Sequence, residues 1–145
     1  MSTNKEKFQP HRTESFRCAR FAMLAGIELL EVGEGRSLAR MPVTDSHLNG
    51  GDVLQRGASI ALPDLAFAAA MSSHRVLTVS TSSNITFFRP VAKGSYVYAE
   101  ATEIVDHRRL PYAEVRLSDD QGRLVAVFTS SGYRKEGVVI DVEEP

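Results

Sequence analysis

The chain has 145 residues, 43% of them hydrophobic and 24% charged, the composition of one globular domain rather than a disordered chain or a coiled coil. Lys plus Arg number 17 against 18 for Asp plus Glu, so a net charge of −1 gives no footprint for nucleic acid or an anionic membrane. The one cysteine, Cys18, excludes an internal disulfide framework and a cysteine-based zinc site.

Residues 1–12 are polar and aperiodic and read as a loose arm with no signal-peptide core. The longest near-apolar run, Ile60 to Met71, is interrupted by Pro63 and Asp64 and is too short to span a bilayer, which predicts a soluble, cytoplasmic protein. A single domain is expected over 13–136. Thr13 is placed to cap a first helix bearing Phe16, Ala19, Met23 and Leu24, with Gly26 as its stop. Ile27–Val32 and Ser37–Val43, joined by Gly33-Glu34-Gly35, read as a hairpin. A turn-rich stretch, Thr44 to Asp52, leads into Ala58–Met71, apolar nearly all round and therefore expected to be a buried helix.

Pro63 removes the hydrogen bond to the Ser59 carbonyl at ~3 kcal/mol, so the helix either kinks before Asp64 or restarts there. From Leu77 to Phe87 the period becomes two, with Leu77, Val79, Thr81, Ser83, Ile85 and Phe87 on one face. Ser95–Asp106, Tyr112–Ser118 and Leu124–Tyr133 complete an antiparallel meander, with a turn at Asp119-Asp120-Gln121-Gly122. The acidic tail, 137–145, carries Asp141, Glu143 and Glu144. The order predicts an α+β domain with its helices on one face of a sheet.

Leu24-Ala25-Gly26-Ile27-Glu28, Arg40-Met41-Pro42-Val43, His47-Leu48-Asn49, Gly57 with Leu62-Pro63-Asp64, and Asn84-Ile85-Thr86-Phe87-Phe88-Arg89-Pro90 carry a resemblance. Over residues 20 to 135 the chain resembles the hotdog-fold acyl-CoA thioesterases of the phenylacetate-degradation type. In that family an Asn lies six positions before a His-Gly-Gly turn, and an Asp lies nine positions after the His. Asn49, Gln55-Arg56-Gly57 and Asp64 keep the spacing, with Gln55 in place of the histidine and Arg56 in place of the first glycine. The resemblance implies a hotdog fold, an antiparallel sheet wrapped around one long central helix. It also implies a site shared between two chains of a dimer or a dimer of dimers. Coenzyme A then belongs to the substrate, and no other cofactor is implied.

Elementary chemistry gives these residues roles. Thioester hydrolysis needs an activated water or a carboxylate nucleophile, and donors for the oxyanion. Asp64, alone in an apolar helix, is expected to be buried, with a raised pKa suited to a general base. Backbone N–H groups of Arg56 and Gly57, at a helix N-terminus, suit the oxyanion. Asn49 either orients the water or carbonyl or serves its own turn. Gln55 is a candidate donor to the carbonyl. Ser80 matches the family's active-site hydroxyl, or belongs to a solvated sheet face. Arg89, Lys93, Arg108 and Arg109 are candidates for the coenzyme A phosphates. The four histidines, His11, His47, His74 and His107, show no metal-ligand spacing.

Arg56 and Asp64 stand eight residues apart, about 12 Å along one helix, so one thioester carbon cannot meet both within a chain. The reading is a thioesterase for a small aryl or medium-chain acyl-CoA. A non-catalytic acyl-CoA-binding hotdog protein is the alternative, and a hotdog dehydratase would need a histidine beside the acid.

Overall fold

The computed structural model describes residues 19–139, with the backbone alone for 136–139. The 1–12 arm, Thr13, Phe16 and the tail beyond Val139 lie outside the described residues. Helix α1, Arg20–Ala25, ends as the sequence predicts. Gly26 takes φ 79°, its N–H bonds to the Met23 carbonyl, and the Ile27 N–H returns to the Ala22 carbonyl at 2.8 Å. Strands β1 (Glu28–Gly33) and β2 (Arg36–Pro42) form the expected hairpin.

Helix α2 runs from Arg56 to Met71, two residues longer at its start than the apolar run suggests. It is continuous through the buried Pro63, so no second helix begins there. Strands β3 (Val76–Phe87), β4 (Tyr96–Val105), β5 (Tyr112–Ser118) and β6 (Leu124–Val139) follow. Strand β6 passes through Gly137–Val139, which the sequence reading assigns to the tail. All pairings are antiparallel, in the order β1-β2-β4-β5-β6-β3.

The sheet's inner face is unusually rich in alanine: Ala39, Ala99, Ala101, Ala113 and Ala126 are fully buried. Small side chains let α2 lie close, and its Leu62, Ala66, Phe67 and Ala70 fill the space. Burying Phe67 alone contributes roughly 1.5–3 kcal/mol. Gly132 on β6 makes room for that ring. A Cβ there would meet Phe67 Cζ at 3.2 Å and Thr78 Cγ2 at 2.9 Å. One antiparallel sheet around one long helix is the hotdog architecture.

Strand β3 departs from the simple alternation. Its register with β6 slips between Val76 and Thr78 and again between Ser80 and Ser82. Leu77 and Val79, which the alternation puts on one face with Ile85 and Phe87, are instead exposed, and Thr78 turns inward with 8% exposure. Past the second slip the expected parity holds, with Ile85 and Phe87 packed against the core. A bulge inserts an unpaired residue and changes which side chains face in, something a period-two count cannot see.

Candidate active site

The segment before α2 is fixed by one histidine. His47, 9% exposed, accepts from the Thr44 N–H on Nδ1 at 3.1 Å, which leaves Nε2 to donate to the Ala25 carbonyl at 2.6 Å. Its own carbonyl takes the Gln55 N–H at 2.8 Å. His47 thus ties the end of α1 to the start of α2. Asn49 serves the intervening turn: Oδ1 accepts from the Gly51 and Val53 N–H groups at 2.8 and 3.2 Å. With its oxygen so engaged, the Asn49 amide has only its N–H donors to offer.

At the head of α2 the Gln55 carbonyl accepts from Ala58 and Ser59, and the Gln55 side chain turns back, Oε1 accepting from the Arg56 N–H at 2.8 Å. The Arg56 N–H is therefore capped in this structure. The Gly57 N–H has no hydrogen-bond partner among the described residues. It lies at the positive end of a 16-residue helix.

Two cavities flank this helix start. One, of about 440 Å³, is lined by Phe21 and Ala22 of α1, by Ile27, and by a stripe of α2 that includes Gly57, Ile60, Asp64 and Leu65. Asp64 is the one polar side chain among the described residues that line it. The expectation of a buried Asp64 needs correction, because within a single chain its side chain is exposed. The sheet covers one side of α2, and the opposite side remains open. The apolar surroundings still desolvate the carboxyl and raise its pKa above the ordinary Asp value. It forms no ion pair or hydrogen bond with the described residues.

The second cavity, of about 260 Å³, is lined by Asn49, Arg56, Ser59, Phe87 and Arg89, among others. The Arg56 guanidinium lies 4.8 Å from the Phe87 ring centroid. The expected residues therefore divide: Gly57 and Asp64 share the first cavity, while Asn49, Arg56 and Arg89 share the second. Gln55 stands between them and lines neither. Ser80, exposed on β3 opposite Gly132, lines neither cavity. Lys93 pairs with Asp45 at 2.8 Å. Arg108 is exposed on the β4–β5 connection, and Arg109 donates to the Tyr133 hydroxyl at 3.1 Å.

Sequence spacing gives no sign of a charged network at the far end of α2. His74 Nε2 lies 2.9 Å from both Glu103 carboxylate oxygens. Arg134, 9% exposed at its side chain, reaches Glu103 at 3.1 Å, Asp106 at 2.8 Å and the His107 carbonyl at 2.7 Å. The hydrogen bond from Arg134 holds the Asp106 carboxyl below its ordinary range. His74, Glu103 and Asp106 each offer a ligand atom within 4.8 Å of the others. The guanidinium already bonds both carboxylates, so the cluster is an ion-pair network around its own cation. No helix among the described residues is long and apolar enough to cross a membrane.

Comparison with known proteins places this geometry in a class. The thioesterase superfamily model matches residues 51–126, from the turn before α2 into β6. The chain belongs to the thioesterase superfamily and is a thioester hydrolase. Within it, the chain is 28% identical over 118 residues to the acyl-coenzyme A thioesterase PaaI of Escherichia coli, covering 81% of this chain and 84% of that one. The structure of the E. coli PaaI protein from the phenylacetic acid degradation operon superposes with a TM-score of 0.88 at 26% identity, over 94% and 99% of the two chains. A phenylacetic acid degradation protein PaaI of Thermus thermophilus, solved as a mutant, gives 0.77 at 30% identity, over 80% and 99%. The fold is that of a hotdog thioesterase of the PaaI type.

Proposed function

We propose that the chain hydrolyses a small aryl or medium-chain acyl-CoA to the free acid and coenzyme A, at a site completed by a second copy of itself. The observation that carries this reading is the 440 Å³ apolar cavity in which, among the described residues, Asp64 is the single polar side chain and the Gly57 N–H on the same helix face has no partner. The two stand seven positions apart, about 10 Å at ~1.5 Å per residue, too far for one thioester carbon to touch both. Two antiparallel α2 helices about a two-fold axis bring Asp64 of one chain opposite Gly57 of the other. The open side of α2 and the exposed apolar Ile60 on it suit such a partner.

In this arrangement the acyl group occupies the apolar cavity. Asp64 takes a proton from water as the water oxygen attacks the carbonyl carbon; as a nucleophile it would instead expel the thiolate to form a mixed anhydride, which water then cleaves to the free acid and the restored carboxylate. The Gly57 N–H stabilises the oxyanion, and the Arg56 N–H joins it when substrate displaces the Gln55 carboxamide. The C–S bond then breaks and the thiolate leaves, taking the proton back. Desolvation of Asp64 favours this role, since a raised pKa makes a carboxylate a stronger base.

A second reading, acyl-CoA binding without turnover, is favoured by the Gln55 cap on the Arg56 N–H. The dehydratase reading has less support. His47 is locked to Ala25, His74 faces Glu103, and neither lines the Asp64 cavity. Release of free thiol from a panel of acyl-CoAs separates turnover from binding. Turnover that disappears in Asp64→Asn supports the proposal, and coenzyme A binding without thiol release would support the second reading.

A further inference from the structure

We propose that the cavity between Asn49, Arg56 and Arg89 is an anion pocket that holds a phosphate or carboxylate group of the substrate. The pocket presents donors: the two guanidinium groups, and the Asn49 amide, whose oxygen is already engaged by its own turn. No acidic side chain lines it among the described residues. Elsewhere, Arg36, Arg40, Lys93, Arg116, Arg123 and the buried Arg134 each face a carboxylate. Arg56 and Arg89 face none among the described residues.

Arg56 is also held in place by stacking on Phe87, so less of its rotamer freedom is lost when it binds. Planar guanidinium groups match the oxygens of phosphate or carboxylate with paired hydrogen bonds. A donor-lined pocket with two uncompensated cations, at the helix start that also carries Gly57, is complementary to an acceptor-only anion. The identity of that anion rests on the thioesterase reading. It is either a coenzyme phosphate or a terminal carboxylate on the acyl chain.

Four thioesters distinguish the sources: hexanoyl and adipoyl groups, each on coenzyme A and on N-acetylcysteamine. Arg56→Gln and Arg89→Gln, both at exposed positions, are each expected to raise KM about tenfold for whichever thioesters carry the bound anion, with Arg56→Lys recovering part of the loss. A rise with both coenzyme A substrates and neither N-acetylcysteamine thioester assigns a phosphate. A rise with both adipoyl substrates and neither hexanoyl one assigns a carboxylate. Calorimetric Kd values for free coenzyme A and for adipoyl-N-acetylcysteamine are measured on the same proteins. If no thioester is hydrolysed, the thioesterase reading fails while these Kd values still report on the pocket. Values of KM and Kd that change less than twofold in both Gln variants would overturn the anion pocket.

Discussion

The Gln55 side chain gives stability and catalysis opposite responses to one substitution. Its Oε1 accepts from the Arg56 N–H at 2.8 Å, and the Gln55 main-chain carbonyl holds Ala58 and Ser59 independently. Gln55→Ala therefore removes a side-chain cap and leaves the helix start in place. Loss of a cap costs about 0.5–2 kcal/mol, and an exposed glutamine belongs at the low end, near 0.5. At roughly 2–4 °C per kcal/mol for a chain of this size, Tm falls by about 1–2 °C. On the catalytic side, substrate no longer has to displace the carboxamide. A neutral hydrogen bond is worth about 0.5–1.5 kcal/mol net, so kcat/KM rises about two- to tenfold. The assay is thiol release with a saturated acyl-CoA beside a thermal melt of the same sample. A tenfold fall in kcat/KM with the small Tm change would mean that the Gln55 amide contacts the substrate itself, and the capped-donor reasoning would be wrong.

Asp64→Asn is expected to lower kcat about 10²–10⁴-fold, as loss of a general base does, and thiol release under saturating substrate measures it. The same change is not expected to lower Tm at neutral pH. The folded carboxyl is raised, so the ionised form penalises the fold above that pKa, and asparagine removes the penalty. With Asp64 as base, wild-type activity falls as pH drops through a pKa raised above the ordinary Asp value, which a pH profile of kcat/KM reads. Arg134→Met leaves Glu103 and Asp106 without their shared cation. Breaking such a buried pair costs about 3 kcal/mol, the low end because His74 still faces Glu103. Tm is then expected to fall by about 6–12 °C, and a fall below 2 °C would show the network to be unimportant for stability.

Much of the fold was legible because local chemistry and tertiary packing agree. The Gly26 stop, the Gly33-Glu34-Gly35 hairpin and β5 fall where their turn residues and alternation place them. The period-two alternation of β3 breaks at Leu77 and Val79 because its bulges against β6 depend on a partner some 50 residues away. Asp64 was expected to be buried because α2 is apolar nearly all round. One chain supplies a sheet for only one side of that helix. The Gln55 cap was invisible in sequence, since glutamine has several polar options and only backbone geometry selects one. The His74–Glu103–Arg134 network comes from three distant segments, and no spacing within any one of them announces it.

The shared site is the central claim, and hybrid dimers test it most directly. Gly57 has an ordinary φ and open space, with a Cβ meeting only Gln55 Cγ at 4.0 Å, so Gly57→Leu obstructs the thioester seat without straining the backbone. Asp64→Asn and Gly57→Leu chains are each expected to be nearly inactive alone. When the two are mixed and re-associated, about half the dimers are hybrids, each with one intact and one doubly altered site, by simple two-fold counting. Activity is predicted to return to roughly a quarter of the wild-type value. Hybrids detected by native mass spectrometry with no recovered activity would contradict a site built from two chains.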